Sequence, residues 1–307
     1  MSTITSAEIA SQPETWRRGI DEAERWSALL PAPGESTLYV GCGTSAFVAH
    51  AIATLSERAG RTPTDWAFAS ELPARSYDRV VALSRSGTTT EVLEALRGPL
   101  AGAHRVMVTG APGEVPDGVA DEIVDLTFAD ERSVVQTRFP TTVLAIVRTL
   151  LGEDVGSLLP DLDQALTGAL GPDLSRFDHF VFLARGWARG LADEAALKMR
   201  ESAQAWSESF PALDYRHGPI AAADERTLVV PLTPLDDLLL ADIAHSGATL
   251  ADVSGDPLVR LVWCQRLATG LAELRGLDPD RPRNLTRSVV LPPQAANLSR
   301  SGEGAQR

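Results

Sequence analysis

The stretch "VVALSRSGTTTEVLEAL" (80–96) joins an aliphatic run to a burst of hydroxyls and then to a helical pattern. Val80 to Leu83 show no polar alternation, which is how a strand covered on both faces of a parallel sheet reads. Ser84, Arg85, Ser86, Gly87, Thr88, Thr89 and Thr90 follow, and apolar residues then recur at helical spacing. A parallel strand that feeds a helix leaves free N–H groups at the helix start, where the helix dipole also favours negative charge. One hydroxyl would be enough to cap such a helix. Ser84, Ser86 and Thr89 together, beside a glycine that lets the backbone come close, point instead to a cradle for a phosphate-like anion.

The stretch "GCGTSAF" (41–47) repeats this design after the strand "TLYV", with Thr44 and Ser45 opening a helix and Gly41 and Gly43 at the turn. Two such turns in one sheet can converge on one ligand. Neither is a Walker loop, since the Gly-Lys-Ser/Thr ending is missing, and "GCGTSA" lacks the third glycine of a dinucleotide fingerprint. Further strands are expected at 65–70, 78–84, 104–110 and within 121–128, with a helix over 141–152. Alternating strands and helices imply an α/β fold with a parallel sheet between helical layers.

After a Gly-Pro linker near 168–175 the pattern restarts. "HFVFLARG" (179–186) reads as a strand entering a helix, "TLVVPL" (227–232) as another strand, "LDDLLLADIAHSG" as a helix, 248–255 as a strand and 257–276 as an amphipathic helix. "LYVGCGTSAFVA" parallels "VFLARGWARGLA", and "ASELPA" (69–74) parallels "SESFPA" (207–212), which reads as an internal duplication. The expected division is a helical segment over 1–34, a first domain over 35–170, a second over 171–292 and a disordered tail over 293–307.

The 307 residues are 44% hydrophobic and 22% charged, with a formal net charge of −13. That balance suits a globular chain and argues against nucleic acid or an anionic membrane surface as partner. The two cysteines, Cys42 and Cys264, form neither a disulfide framework nor a metal spacing, which fits a reducing cytoplasm. The first residues lack the layout of a signal peptide, and no apolar run approaches the roughly 20 residues that span a bilayer. Of the 28 basic residues one alone, Lys198, is lysine. In "LADEAALKMRESA" it shares a helical face with Glu194 and Glu201, at spacings of four and three. Arginine, abundant here, would serve a surface salt-bridge ladder equally well; a compact ammonium, or an amine able to lose its proton, is what only lysine supplies. His217, in "HGP" (217–219), can pair with Glu201 as acid and base.

These landmarks resemble the sugar-isomerase (SIS) domain family, and within it the isomerase half of glucosamine-6-phosphate synthases. The matching stretches are "GCGTS" (41–45), "LSRSGTT" (83–89), "ERSVVQTR" (131–138), "EAALKMRE" (194–201), "HGP" and "DPDRPRNLTRSV" (278–289), in the family's order. The synthase's glutamine-hydrolysing domain has no counterpart in this sequence. The resemblance implies two tandem SIS subdomains, each a parallel sheet flanked by helices, and a homodimer with the site near the subunit interface. It implies a phosphorylated sugar or amino sugar as ligand, and no metal or redox cofactor. By position, Ser45, Ser84, Ser86 and Thr89, with Arg85 and Gly87 in the same loop, would hold the phosphate. Thr44, Val134 and Gln136 would line the sugar. Glu201 would move a proton between C1 and C2, Lys198 and Glu194 would assist at the sugar oxygens, and His217 would assist ring opening, reaching across from a partner subunit. Two positions depart from the family. Arg287 stands where the synthase has its imine-forming lysine, and arginine cannot act as that amine. Gln136 replaces a small hydroxyl residue. The expected activity is therefore phosphosugar isomerisation, or isomerisation with loss of an amine at C2. The alternatives are a non-catalytic phosphosugar sensor and a synthase-like aminotransferase.

Overall fold

A computed structural model describes residues 3–252 and 254–292, so the tail expected over 293–307 lies outside the described residues. Two short helices, α1 (Ile4–Ala10) and α2 (Gln12–Asp21), precede the first sheet. Then come β1 (Thr37–Gly41), α3 (Thr44–Arg58), β2 (Thr64–Phe68), β3 (Arg79–Leu83), α4 (Thr90–Arg97), β4 (His104–Thr109), β5 (Glu122–Asp125) and α5 (Arg138–Leu150). The second part holds α6 (Leu159–Thr167), β6 (His179–Ala184), α7 (Ala188–Ala203), β7 (Trp206–Pro211), β8 (Thr227–Pro231), α8 (Asp237–His245), β9 (Thr249–Leu250) and α9 (Pro257–Leu274).

The strands form two parallel sheets, ordered β2-β1-β3-β4-β5 and β7-β6-β8-β9. In each, the first strand of the half sits beside the second on one side and the third on the other. The halves thus share one topology, and their matching turns after β1 and β6 hold Gly43 and Gly186 at φ of 52° and 59°. Strands β1, β3, β6 and β8 are buried along their whole length, the expected result of helices on both faces.

Most of the expected elements lie within two or three residues of their observed ends, and three details differ. α5 begins at Arg138 rather than 141, because the buried Glu131 carboxylate accepts the N–H groups of Thr137, Arg138 and Phe139 and so caps the helix from six residues upstream. Pro140 falls in the first turn, where its missing N–H is no loss. β9 is confined to two residues, paired with Leu228 and Val229 of β8, and nothing pairs on its outer side among the described residues. "SESFPA" lies mostly within β7, an edge strand whose polar character hides it from a reading based on buried runs.

One hydrophobic core runs through both halves and includes faces of α3, α5, α7 and α9. One close helix–helix approach sets up the site below. A Cβ on Gly190 of α7 would lie 2.3 Å from the carbonyl oxygen of Phe47 on α3. Any side chain there would force the two helices apart, so the absence of one lets α7 lie directly on α3. No described helix is long and apolar enough to cross a membrane.

Candidate active site

The first turn of α3 is built for close approach. A Cβ on Gly41 would lie 2.6 Å from the Ser45 backbone, and Gly43 at φ 52°, ψ −125° takes a conformation open in practice to glycine alone. Thr44 and Ser45 are thereby buried at the start of the helix. In the parallel turn after β3, Gly87 has φ +71°, and a Cβ there would meet the Val115 side chain at 2.7 Å. Ser84 Oγ accepts the Gly87 N–H at 3.2 Å and lies 3.4 Å from Thr89 Oγ1. Thr89 occupies the N-cap position of α4 without making a side-chain cap, so its hydroxyl is not used up by the helix.

A C-terminal strap lies against this turn. Ser288 Oγ is 3.1 Å from Ser86 Oγ and 2.9 Å from Thr88 Oγ1, and the Thr90 N–H donates to the Val289 carbonyl at 3.1 Å. Thr88 and Ser288 were missed as site residues. Both fall inside quoted landmarks, so the signal was present, but nothing in the sequence says that they meet.

Arg85 is placed differently from expectation. Its guanidinium is buried and donates to the carbonyls of Ser133 at 2.7 Å and Arg287 at 3.0 Å, with those of Glu131 and Val134 at 3.4 and 3.5 Å. Burial holds its pKa below the ordinary arginine value. The side chain is spent on the rim of the site, tying loop 131–134 to the strap. Arg287 is likewise occupied, forked onto Asp130 at 2.6 and 2.8 Å. Val134 and Gln136 sit half-buried on the same loop, and Gln136 Oε1 has no hydrogen-bond partner among the described residues.

The second cluster is on α7. Lys198 is 1% exposed. Its Nζ lies 2.5 Å from Glu201 Oε2, 3.1 Å from Thr44 Oγ1 and 3.2 Å from Glu194 Oε1. The Thr44 contact joins the two halves, and the α3–α7 approach at Gly190 is what permits it. Burial opposes the Lys198 charge, but the carboxylates of Glu194 and Glu201 outweigh it and raise the pKa above the ordinary lysine value. Glu194 is fully enclosed. Although Nζ is near, neither of its oxygens receives an aligned hydrogen bond. Burial, reinforced by the Glu201 charge and opposed by Lys198, pushes its pKa up to about 7. One ammonium thus stands between two carboxyls, and burial pushes the enclosed one toward its protonated form. The Glu201 side chain is 18% exposed and is the member that opens outward.

His217 does not join this cluster within one chain. It is exposed, at the end of the turn Asp214–Arg216. The structure therefore brings Thr44, Glu194, Lys198 and Glu201 together, gathers Ser84, Ser86 and Thr89 in one turn, and leaves His217 apart.

No protein-family model matches the chain. Its sequence is 29% identical over 322 residues to the glutamine–fructose-6-phosphate aminotransferase (isomerizing) of Thermus thermophilus, covering 86% of this chain and 53% of that protein. The protein of that name from Bradyrhizobium diazoefficiens is 27% identical over 309 residues, or 81% of this chain and 51% of its own length. The chain thus spans about half the length of the curated relatives it matches. Among solved structures, the glucosamine-6-phosphate deaminase of Thermotoga maritima aligns with a TM-score of 0.80 at 26% identity, over 94% of this chain and all of that one. The chain has the double sugar-isomerase (SIS) fold. Tagatose-6-phosphate ketose/aldose isomerase from Escherichia coli shares the SIS fold, with a TM-score of 0.74 at 20% identity over 94% of this chain. Two parallel sheets between helical layers, repeated in tandem, are what these SIS structures and this chain have in common.

Proposed function

We propose that this chain acts on a phosphorylated sugar by moving a proton between C1 and C2 of the opened form, releasing ammonia where C2 carries an amine. The observation that carries the proposal is the chain's single lysine, fully buried between Glu194 and Glu201 and touching Thr44 of the opposite half. A surface ladder has no need of that burial; enclosing the Lys198–Glu194 pair costs desolvation energy, and such perturbed buried charges cluster at functional sites. The relatives lend support, since the aminotransferase, the deaminase and the ketose/aldose isomerase are all named for sugar or amino-sugar phosphates.

In this reading the phosphate sits in the turn after β3, among Ser84, Ser86, Thr89 and free backbone N–H groups, with Ser45 from the neighbouring turn. The anchored phosphate fixes the distance from the anion to C1 and C2, so that little freedom remains to be lost at the reacting carbons. Glu201 takes the proton from C2, leaving an enediol or enolamine, and returns it to C1. Where C2 bears nitrogen, the C=N bond so formed is hydrolysed by one water, which gives the ketose phosphate and ammonia. Lys198 donates toward the sugar oxygens and balances the charge that develops there. An aminotransferase reading is weaker for this chain, because a guanidinium cannot serve as the imine-forming amine and Arg287 is already held by Asp130.

The direct test incubates the chain in D₂O with a panel of hexose and hexosamine 6-phosphates, with deuterium at C1 and C2 and free ammonia as readouts. Exchange with at least one member is the expected result. Saturable binding across the panel with no exchange would replace the enzyme by a sensor.

We place the site at the interface of two copies, with the exposed His217 of each serving ring opening in the other. His217→Ala and Glu201→Gln variants should each be nearly inactive alone, and turnover should return when they are mixed and allowed to exchange subunits. No recovery in a mixture shown to contain mixed dimers would return His217 to its own chain.

A further inference from the structure

The second sheet ends in a cavity that plays no part in the site above. The carboxyl ends of β8 and β9 line a space of about 350 Å³, together with Thr233, Leu235, Leu240 and Arg260. Open parallel sheets bind ligands at this edge. The turn after β8 is not a copy of the hydroxyl cradle after β3, however. It carries Asp236 and Asp237, and the Asp236 carboxylate itself caps α8 by accepting the Leu239 N–H at 2.9 Å. An anion there needs a positive group from elsewhere.

Arg260, in the first turn of α9, meets that need. It is 8% exposed, yet it is poorly partnered. Its NH1 donates to the Pro231 carbonyl at 3.2 Å, and its Nε is buried with no partner among the described residues. The acid one turn before it, Asp256, is held in a fork by Arg148 at 2.7 and 2.8 Å. Asp252 lines the same cavity but is exposed, and among the described residues no ion pair joins it to Arg260. A guanidinium keeps its proton, so burial leaves a charge whose donors need acceptors. Thr233 lines the same space, and its Oγ1, buried like Arg260 Nε, also lacks a partner among the described residues.

We infer that this cavity binds a small oxyanion, a phosphate or a carboxylate group, between the Arg260 guanidinium and the Thr233 hydroxyl. The planar fork of arginine suits either group, and Leu235, Leu240 and Leu250 provide walls for a short apolar body behind it. The site is separate from the turn after β3 and stands whether or not the proposed reaction is right.

The test uses the full chain labelled with ¹⁵N and follows the arginine Nε–Hε signals during titration with inorganic phosphate and, separately, with butyrate. The Arg260 signal, assigned from its loss in Arg260→Met, is expected to move saturably with at least one of the two. Phosphate alone marks a phosphate site, butyrate alone a carboxylate site, and either supports the proposal. A Ser86→Ala/Thr89→Ala variant should leave the Arg260 response intact, which separates it from binding at the other turn. In calorimetry Arg260→Met should weaken this binding by about tenfold or more, as expected for a lost charged hydrogen bond. Thr233→Val, which keeps the shape, should weaken it by a few-fold and provides a second variant if the first fails to fold. An Arg260 signal unmoved by both anions, or unchanged affinity in Arg260→Met, overturns the proposal.

Discussion

Glu201→Gln is expected to lower turnover by about 10²- to 10⁴-fold, the usual contribution of a positioned general base. Glutamine keeps the size and one hydrogen-bonding oxygen of the side chain but cannot take up a proton. The contact from Lys198 Nζ, now 2.5 Å, can persist to the amide oxygen, so the variant tests proton transfer rather than shape. The turn proposed to hold the phosphate belongs to β3 and α4, on the other half of the molecule, so phosphosugar affinity should change little. The split between a collapsed kcat and a nearly constant dissociation constant is the signature. Deuterium incorporation at C1 and C2, with calorimetric binding of the same sugar phosphate, measures both sides of it. Stability should hold, because removing the Glu201 charge removes one of the influences that raise the Glu194 pKa. That carboxyl can then ionise more readily and pair with Lys198. Exchange that continues at the parent rate would take Glu201 out of the chemistry.

How far the sequence could be read follows from how local each feature is. The strand, glycine and hydroxyls of 80–96 are local, and they form the expected strand-to-helix turn, with Thr89 at the start of α4 and the Gly87 backbone at positive φ. The face shared by Glu194, Lys198 and Glu201 follows from helical spacing alone. What was hidden depends on contacts far apart in the chain. Thr44 meets Lys198 because Gly190 lets α7 touch α3, and no pattern within either helix announces that. Arg85 sits in the sequence among the residues expected to bind an anion, yet its side chain is drawn off by carbonyls at 133 and 287, which only tertiary folding brings near. Its position in the chain indicated a ligand contact, whereas its hydrogen bonds make it a tie between loop and strap. Arg260 was equally silent. On an amphipathic helix one arginine among apolar neighbours reads as a solvated face, and its burial, with a hydrogen bond to the Pro231 carbonyl, appears only in the fold.

Lys198→Met should be the most damaging single change to the fold as well as to activity. Methionine fills nearly the same volume, so the loss is electrostatic. It leaves Glu194, fully enclosed, and Glu201 facing each other with no cation between them. Breaking a buried ion pair from one side costs about 3–5 kcal/mol, because the remaining charge has no partner. The penalty should depend on pH, with a definite sign. In the parent, the Glu194 carboxyl has its pKa raised from 4.5 to about 7, so the folded state holds a proton that the unfolded chain has released. Where the native state binds more protons, stability falls as pH rises, here across the window from about 4.5 to about 7. That shift corresponds to about 3 kcal/mol between the two ends. Removing Lys198 removes the strongest influence lowering that pKa, which extends the window upward. The variant should therefore lie several kcal/mol below the parent at pH 8 and much closer to it at pH 5, where Glu194 is protonated in both. Urea unfolding at the two pH values measures the difference. An equal loss at pH 5 and pH 8 would mean that Lys198 contributes packing rather than charge, and would remove the electrostatic argument on which the proposed site rests.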